Sequence, residues 1–524
     1  MPLPQITLAA LMGAALVLFL HHGRGFSFFG DEWSFIIERR TGSVDDFLRP
    51  HNEHMSAVPV AIFKVMFRAF GLDDYRPYQV VLLGLHLLVS GLVFVLARRR
   101  IGDWGALVAT SFLLFFGQGW EDLLWAFQIG FLMSLVGFLG ALVAIERRDR
   151  AGDVAAALLL LVALCSSGIG IPLLVVAGVE LAWREEDRTR LWVAWAPALV
   201  YGLWYLGYGK SAVKLSNLPD APEYAATTIA GTVGPLVGLG LDFGRPLAVL
   251  GAALLVWRLA RPGVPTPRAA ALVAGLVCFV GVLGLSRADV AAAAPPDASR
   301  YVYPCAFLVV LIAVELARGV RISRTALVLL AAVALTAAVS NVTALRLQGD
   351  TRRAQIADVQ ARMGAVLIAR DSIDPGFVID LAPHGPPIHA AQLIGAIDQL
   401  GSPVFSAAQL PARSEEARGL ADGTFVAAER IAPAPAPAGS CTPLARPAPG
   451  TPADLEVPPG GVRVEPARAA PVEVRLRRYA VAFGADPTFT LTGRATIAMP
   501  RDRAPQPWHI QVSSSAAVTL CALG

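Results

Sequence analysis

Charge is what this sequence is short of. Only 16% of its 524 residues are Asp, Glu, Lys or Arg, against 55% hydrophobic, and the mean hydropathy is +0.56. A soluble chain of this size carries about a quarter charged residues, so a soluble globular protein is excluded over most of the length. The net charge is only +4 and the basic residues gather between apolar runs. That is the pattern of membrane loops and not of a nucleic-acid surface, so no nucleic acid is expected as a partner. Cysteine is scarce, with five in all and neither a CxxC pair nor a zinc-type spacing. Cys165, Cys278 and Cys305 fall in apolar segments and read as small hydrophobes, whereas Cys441 and Cys521 lie in polar sequence and could pair in an oxidising compartment. There is no glycine-rich phosphate cradle and no internal repeat. No basic stretch precedes the first apolar run, 5–20, and no small-residue cleavage site follows it, which favours an uncleaved helix over a signal peptide.

What is present is a succession of apolar segments. They are 5–20, 78–97, 104–116, 129–145, 153–165, 169–182, 191–207, 244–260, 269–286, 302–317 and 325–342, about eleven crossings of an all-α polytopic membrane bundle. The pair 153–165 and 169–182 reads either as two short spans or as helices meeting at a break, Ser166-Ser167-Gly168-Ile169-Gly170. The run 226–242, with Gly234-Pro235 and the small-residue pair Gly234 and Gly238, reads as interfacial or re-entrant. Arginines fill every second short loop, at 98–100, 147–150, 184–190, 258–268 and 318–324. The positive-inside rule then puts the N-terminus in the cytoplasm, and loop 21–77 and the C-terminal part outside a plasma membrane. Seven basic residues in loop 21–77 run against that rule, which binds long loops less tightly. Within this loop, 56–70 and 31–40 read as helices lying in the interface.

The expected domains are a transmembrane part, 1–344, a mixed α/β segment, 345–431, a Pro/Ala-rich linker, 432–450, and a β-rich, sandwich-like segment, 451–524. A helix is expected at 351–369 and a strand at Phe377–Asp380, and the runs 462–466, 471–483, 488–497 and 508–522 alternate as strands do.

Acids and histidines beside apolar segments need a reason, because ionisable groups near a bilayer are costly. The outer loops present Asp31, Glu32, His51, Glu53, His54, Glu121, Asp122, Arg300 and Tyr301, each just beyond an apolar run. Loops of alternate parity share one face of a membrane, so these groups can converge. Asp31 and Glu32 are adjacent and diverge by about 100° on a helix, so that one can face a cavity while the other packs elsewhere. An acid in a partly dry cleft is a candidate general base; the plain alternative is a helix N-terminal acid after Gly30. His51 and His54, three apart with Glu53 between, would face one way on a helix and are candidates for a divalent cation or a phosphate. Arg300-Tyr301 is either a snorkelling arginine with a belt tyrosine or a guanidinium fork for a phosphate. Trp33, Trp120 and Trp125 read as interfacial aromatics, and Glu121 and Asp122 as ordinary loop acids unless they converge with the rest.

Two of these stretches, Gly30-Asp31-Glu32-Trp33 after the first span and Ser299-Arg300-Tyr301-Val302-Tyr303-Pro304 at a late span's outer end, resemble the C superfamily of membrane glycosyltransferases (GT-C). Protein O-mannosyltransferases and the lipid A aminoarabinose transferase belong to it. The stretch from Arg76 to Arg100 is similar as well, and the resemblance covers about residues 1–342. It implies a transferase that takes a sugar from a polyprenyl-phosphate donor to a cell-envelope glycan, lipid or protein acceptor at the outer face, among membrane lipid. Asp31, with Glu32 beside it, would match the catalytic base, and Arg300 with Tyr301 the group holding the departing phosphate. His51, Glu53, His54, Glu121 and Asp122 would line the cavity or meet the acceptor. The His51-Asn52-Glu53-His54 stretch departs from the mannosyltransferase pattern, and the β-rich segment resembles the carbohydrate-binding tails of some actinobacterial arabinosyltransferases in architecture alone. A lipid phosphate leaves without a nucleotide, in keeping with the missing glycine cradle. The rivals are a transporter or flippase, which would want ionisable groups in mid-span, and a non-catalytic envelope-assembly protein, which would not need acids in three outer loops.

Overall fold

The computed structural model describes residues 3–261, 266–436, 442–484 and 487–523. The chain forms two compact units. One comprises Met1–Phe26, Arg39–Ala69 and Arg76–Thr351, the other Ser27–Glu38, Phe70–Tyr75 and Arg352–Gly524.

The first unit is helical throughout. Each of the eleven apolar segments is helical, and among the described residues six helices are long and apolar enough to cross a membrane, or seven with one bent pair counted as a span. The count of eleven also takes in the helices Arg150–Leu164, Gly170–Trp183 and Trp192–Tyr208, which are 15, 14 and 17 residues long. It further divides the 39-residue helix Arg76–Leu114 in two, and Gly102, at φ 72°, does break that helix just after the three arginines. A left-handed φ is open to glycine at little cost. The bent pair, Ala221–Leu236 and Leu241–Leu259, turns through 102°, the geometry of either a broken span or a re-entrant loop. Gly238, at φ 80°, makes the turn, and a Cβ on Gly244 would lie 2.0 Å from the Ala230 carbonyl oxygen. The small residues therefore serve the close approach of these two arms.

In one place the helix is longer than expected. Arg324–Ile368 runs unbroken for 45 residues, where the hydropathy predicts a span to 342 and a separate helix from 351. Between Thr343 and Arg352 there is no proline and one glycine, Gly349, so nothing forces an end.

The second unit is built on two antiparallel sheets. Their strand orders are Pro433–Pro435, Ala495–Ala498, Gly461–Pro466, Val518–Ala522, Thr442–Ala445 in one, and Ala453–Glu456, His509–Ser514, Val472–Arg477, Thr488–Leu491 in the other. Alternation sets the faces: Val472, Val474 and Leu476 are buried, and they join Val462, Val464, Ile510 and Leu520 in one core with Phe425 of the helix Glu415–Ala428. This is the expected sandwich. Two of the expected strand runs, 488–497 and 508–522, are each divided by a turn into a pair. Parts of the proline-rich run 432–450 are edge strands, where a missing N–H is tolerated. Cys521 is buried and disulfide-bonded, and Cys441 lies outside the described residues.

Segments from the early polar loop complete this unit. Leu72 N–H donates to the Leu400 carbonyl at 2.7 Å, and Ser402 N–H donates to Asp73 Oδ1 at 2.8 Å.

Candidate functional site

A cavity of about 310 Å³ opens among the helices of the first unit. Its body is apolar, with Phe131, Ile171, Pro172, Phe279 and Leu283, and its polar groups include Glu53, His54, Tyr201, Tyr205, Lys210, Arg287 and Tyr301. These residues come from 53–54, 131, 168–172, 201–213, 279–287 and 301, chiefly the Arg-poor loops and the helix ends beside them. Lys210 is exposed and, among the described residues, has no carboxylate partner. Arg287 pairs with Glu53, and Glu53 lies 3.8 Å from His54.

Local chemistry makes the wall. His51-Asn52-Glu53-His54 is a tight turn, not the helix that would have aligned its histidines. His51 N–H donates to the His54 carbonyl at 3.0 Å, His54 N–H returns to His51 at 2.9 Å, and Asn52 takes φ 53°. Asparagine tolerates that conformation better than most residues. His51 turns to an edge-on contact with Phe127, ring centroids 5.1 Å apart, while His54 faces the cavity. Opposite, a Cβ on Gly168 would lie 2.4 Å from His54 Nδ1, so the Ser166–Gly170 break brings backbone against this ring. Among the described residues no group of three or more His, Cys, Asp or Glu side chains is placed to hold a metal ion, and the two candidate histidines do not form one.

Behind Tyr301 lies a second cluster. Arg300 Nη1 donates to Glu121 Oε1 at 3.0 Å, the Arg300 backbone N–H donates to Glu121 Oε2 at 3.0 Å, and Glu121 N–H donates to Ser299 Oγ at 2.8 Å. The guanidinium also lies 5.0 Å from the Tyr301 ring centre. Arg300 is thus committed to Glu121 as Arg287 is to Glu53, and Lys210 is the cavity-lining cation with no carboxylate partner among the described residues. Asp122 is fully buried beside this pair, and neither of its carboxylate oxygens has a hydrogen-bond partner among the described residues. Burial first, and then the Glu121 charge, push its carboxyl well above the ordinary range, against an opposing pull from Arg300. The short helix Trp120–Leu124 reaches this position because Gly119 precedes it: a Cβ there would lie 2.4 Å from Tyr303 Cδ2. Tyr303 in turn bonds His86 Nδ1 at 2.6 Å.

Asp31 and Glu32 belong to the second unit and open its short helix Glu32–Glu38. Glu32 is completely buried: Phe29 N–H donates to it at 2.9 Å and the Tyr75 hydroxyl at 2.7 Å. Asp31 stays partly exposed. Trp33, expected at a membrane interface, is 1% exposed, and its Nε1 donates to the Phe28 carbonyl at 3.2 Å. Its indole is satisfied inside the unit, so it is not an interfacial residue. Arg287 and Lys210 escaped the sequence reading. The signal for Arg287 was a lone arginine ending an apolar run on the Arg-poor side.

No protein-family model matches the chain, and no curated protein matches it in sequence. In structure it is similar to ArnT from Cupriavidus metallidurans, whose crystal structure is bound to undecaprenyl phosphate. The two share 15% identity over 76% of this chain and 85% of that one, with a TM-score of 0.45.

Proposed function

We propose that this chain is a membrane glycosyltransferase that moves a sugar from a polyprenyl-phosphate donor to a cell-envelope glycan, lipid or protein acceptor. The observation that carries the reading is the cavity: an apolar body suited to a lipid chain, with Lys210, Arg287, His54 and Tyr301 among its polar groups. A polyprenyl phosphate has this division into apolar chain and anionic head. In the reaction, Asp31 takes the proton from the acceptor hydroxyl as its oxygen bonds to the sugar's anomeric carbon. The bond from that carbon to the phosphate oxygen breaks, and polyprenyl phosphate leaves. A positioned carboxylate contributes on the order of 10²–10⁴-fold by such proton removal. Cations in a water-poor site stabilise the charge that develops on the leaving phosphate. Lys210 is suited to that role, while Arg287 and Arg300, paired with Glu53 and Glu121, serve it indirectly by fixing the wall around it.

In this reading the cavity opens on the extracytoplasmic side of the plasma membrane, the Arg-rich loops and the N-terminus are cytoplasmic, and the second unit is extracytoplasmic. A transporter of lipid-linked glycan would place its ionisable groups in mid-span. Here Arg287 ends the helix Pro267–Arg287, and Tyr301 is the third residue of Ser299–Leu316. The test is transfer from a panel of polyprenyl-phosphate sugars by purified full-length protein. Lys210→Gln should raise the donor KM about tenfold or more, the loss of a hydrogen bond to a charged group. An unchanged KM would remove Lys210 from the donor site.

A further inference from the structure

We propose a second, non-catalytic site: a pocket for a phosphate-bearing ligand at the Arg-rich end of the helical unit. The five arginine loops do not simply lie on a surface. Their residues enclose a hollow of about 270 Å³. Seven arginines line it with three acids, Glu146, Glu180 and Asp187, and three more carboxylates, Asp153, Glu186 and Glu315, pair with the same guanidiniums, so seven cations face six acids and one positive charge is left over.

The inner cations are held in place by carboxylates. Arg268 bonds Glu180 at 2.7 and 2.8 Å and Glu146 at 2.7 Å, Arg100 bonds Glu146 at 2.6 Å and Glu315 at 2.7 Å, and Arg190 bonds Asp153 at 2.6 Å. They form a rigid floor. The rim is different. The Arg99, Arg148 and Arg184 side chains are about half exposed, at 47%, 50% and 49%. Arg99 bonds Glu146 and Arg148 bonds Asp187 at 2.7 Å, while Arg148 and Arg184 also share Glu186, itself 65% exposed, and exposed pairs of that last kind are worth little. Arg318 is exposed and, among the described residues, its guanidinium has no carboxylate partner.

Orienting a membrane protein needs positive charge in these loops and nothing more. It does not need guanidiniums from separate loops gathered around one polar hollow. That arrangement suits a phosphate, which guanidinium forks grip in bidentate fashion, and basic pockets between membrane helices take anionic headgroups. The phosphate could come from an anionic phospholipid or from a soluble phosphate compound.

The experiment places full-length protein in phosphatidylcholine nanodiscs and titrates phosphatidylglycerol or, separately, inorganic diphosphate, with binding read by native mass spectrometry. The rim variant Arg148→Gln/Arg184→Gln/Arg318→Gln is compared with Arg446→Gln/Arg468→Gln/Arg501→Gln, which removes the same charge from exposed sites in the second unit. The rim variant should bind phosphatidylglycerol about tenfold more weakly, and the other should bind as the native chain does. Diphosphate binding lost in the rim variant alone would support the same pocket with a soluble source. Should the triple variant fail to fold, Arg318→Gln alone should weaken binding by about threefold. Equal binding by native and rim variants, or an equal loss in the second-unit variant, would overturn the proposal.

Discussion

At the scale of single residues, the cavity depends on what is small as much as on what is charged. Gly168 is the sharpest case, because a methyl there would meet His54 Nδ1 at 2.4 Å and Cε1 at 2.8 Å. Gly168→Ala should therefore displace the His54 ring and raise the donor KM on the order of tenfold, with kcat moving less, in steady-state transfer kinetics. The candidate residues were legible in the sequence as types and only partly as a group. Glu53, His54 and Tyr301 line one hollow, and Glu121, Asp122 and Arg300 form the cluster behind it, because loops of one parity meet at one end of a bundle. The pairing of Arg300 with Glu121 could not be read, since 179 positions separate the two. Nor could the turn at His51–His54: the spacing suits a helix face, and only the reciprocal backbone bonds decide against one. Asp31 and Glu32 looked alike in sequence. Burial separates them, with Glu32 spent on Phe29 and Tyr75 and Asp31 left partly exposed.

Among the elements, the helix Glu415–Ala428 bears the second unit's most demanding polar contacts. Asp422, 2% exposed, accepts from the backbone N–H groups of Arg478, Tyr479 and Ala480 at 2.8–3.1 Å. Asp422→Ala would leave three donors without this acceptor, a loss of about 3 kcal/mol measurable by denaturant unfolding. Glu429, at the end of the same helix, is set among Ser372, Asp502 and Arg478. Burial is the main cause that raises its carboxyl from 4.5 to about 7. The folded state then holds a proton that the unfolded chain has released, so this group's stabilisation is complete below pH 4.5 and disappears as pH rises to about 7. Glu429→Gln should raise the thermal midpoint at pH 8 and leave it nearly unchanged at pH 4.5, a difference that thermal scans at the two pH values would detect. Hydropathy located the helices and alternation located the strands because both periods are local. The continuity of Arg324–Ile368 was missed for the converse reason: a change from apolar to polar sequence looks like a boundary, yet no residue there breaks a helix.

For the helical unit as a whole, three helices, Ile129–Ile145, Gly170–Trp183 and Pro267–Arg287, line both the apolar cavity and the arginine hollow. Pro267–Arg287 carries Arg268 in the arginine hollow and Arg287 at the apolar cavity. At 1.5 Å per residue they are roughly 28 Å apart, close to the thickness of a bilayer's hydrocarbon core. The alternation of arginine along the sequence thus appears in three dimensions as two chemically different ends, which hydropathy and charge parity foreshadowed without naming the residues. The proposed reaction assigns the donor to the end poor in arginine and the proton transfer to Asp31. The most direct measurement of that account is product formation from a polyprenyl-phosphate sugar by the native chain and by Asp31→Asn, in the same membrane mimic and at saturating donor. The account predicts turnover by the native chain and a fall in kcat of about 10²-fold or more for the variant. Equal turnover by the two, or none by the native chain with any donor of the panel, would contradict it.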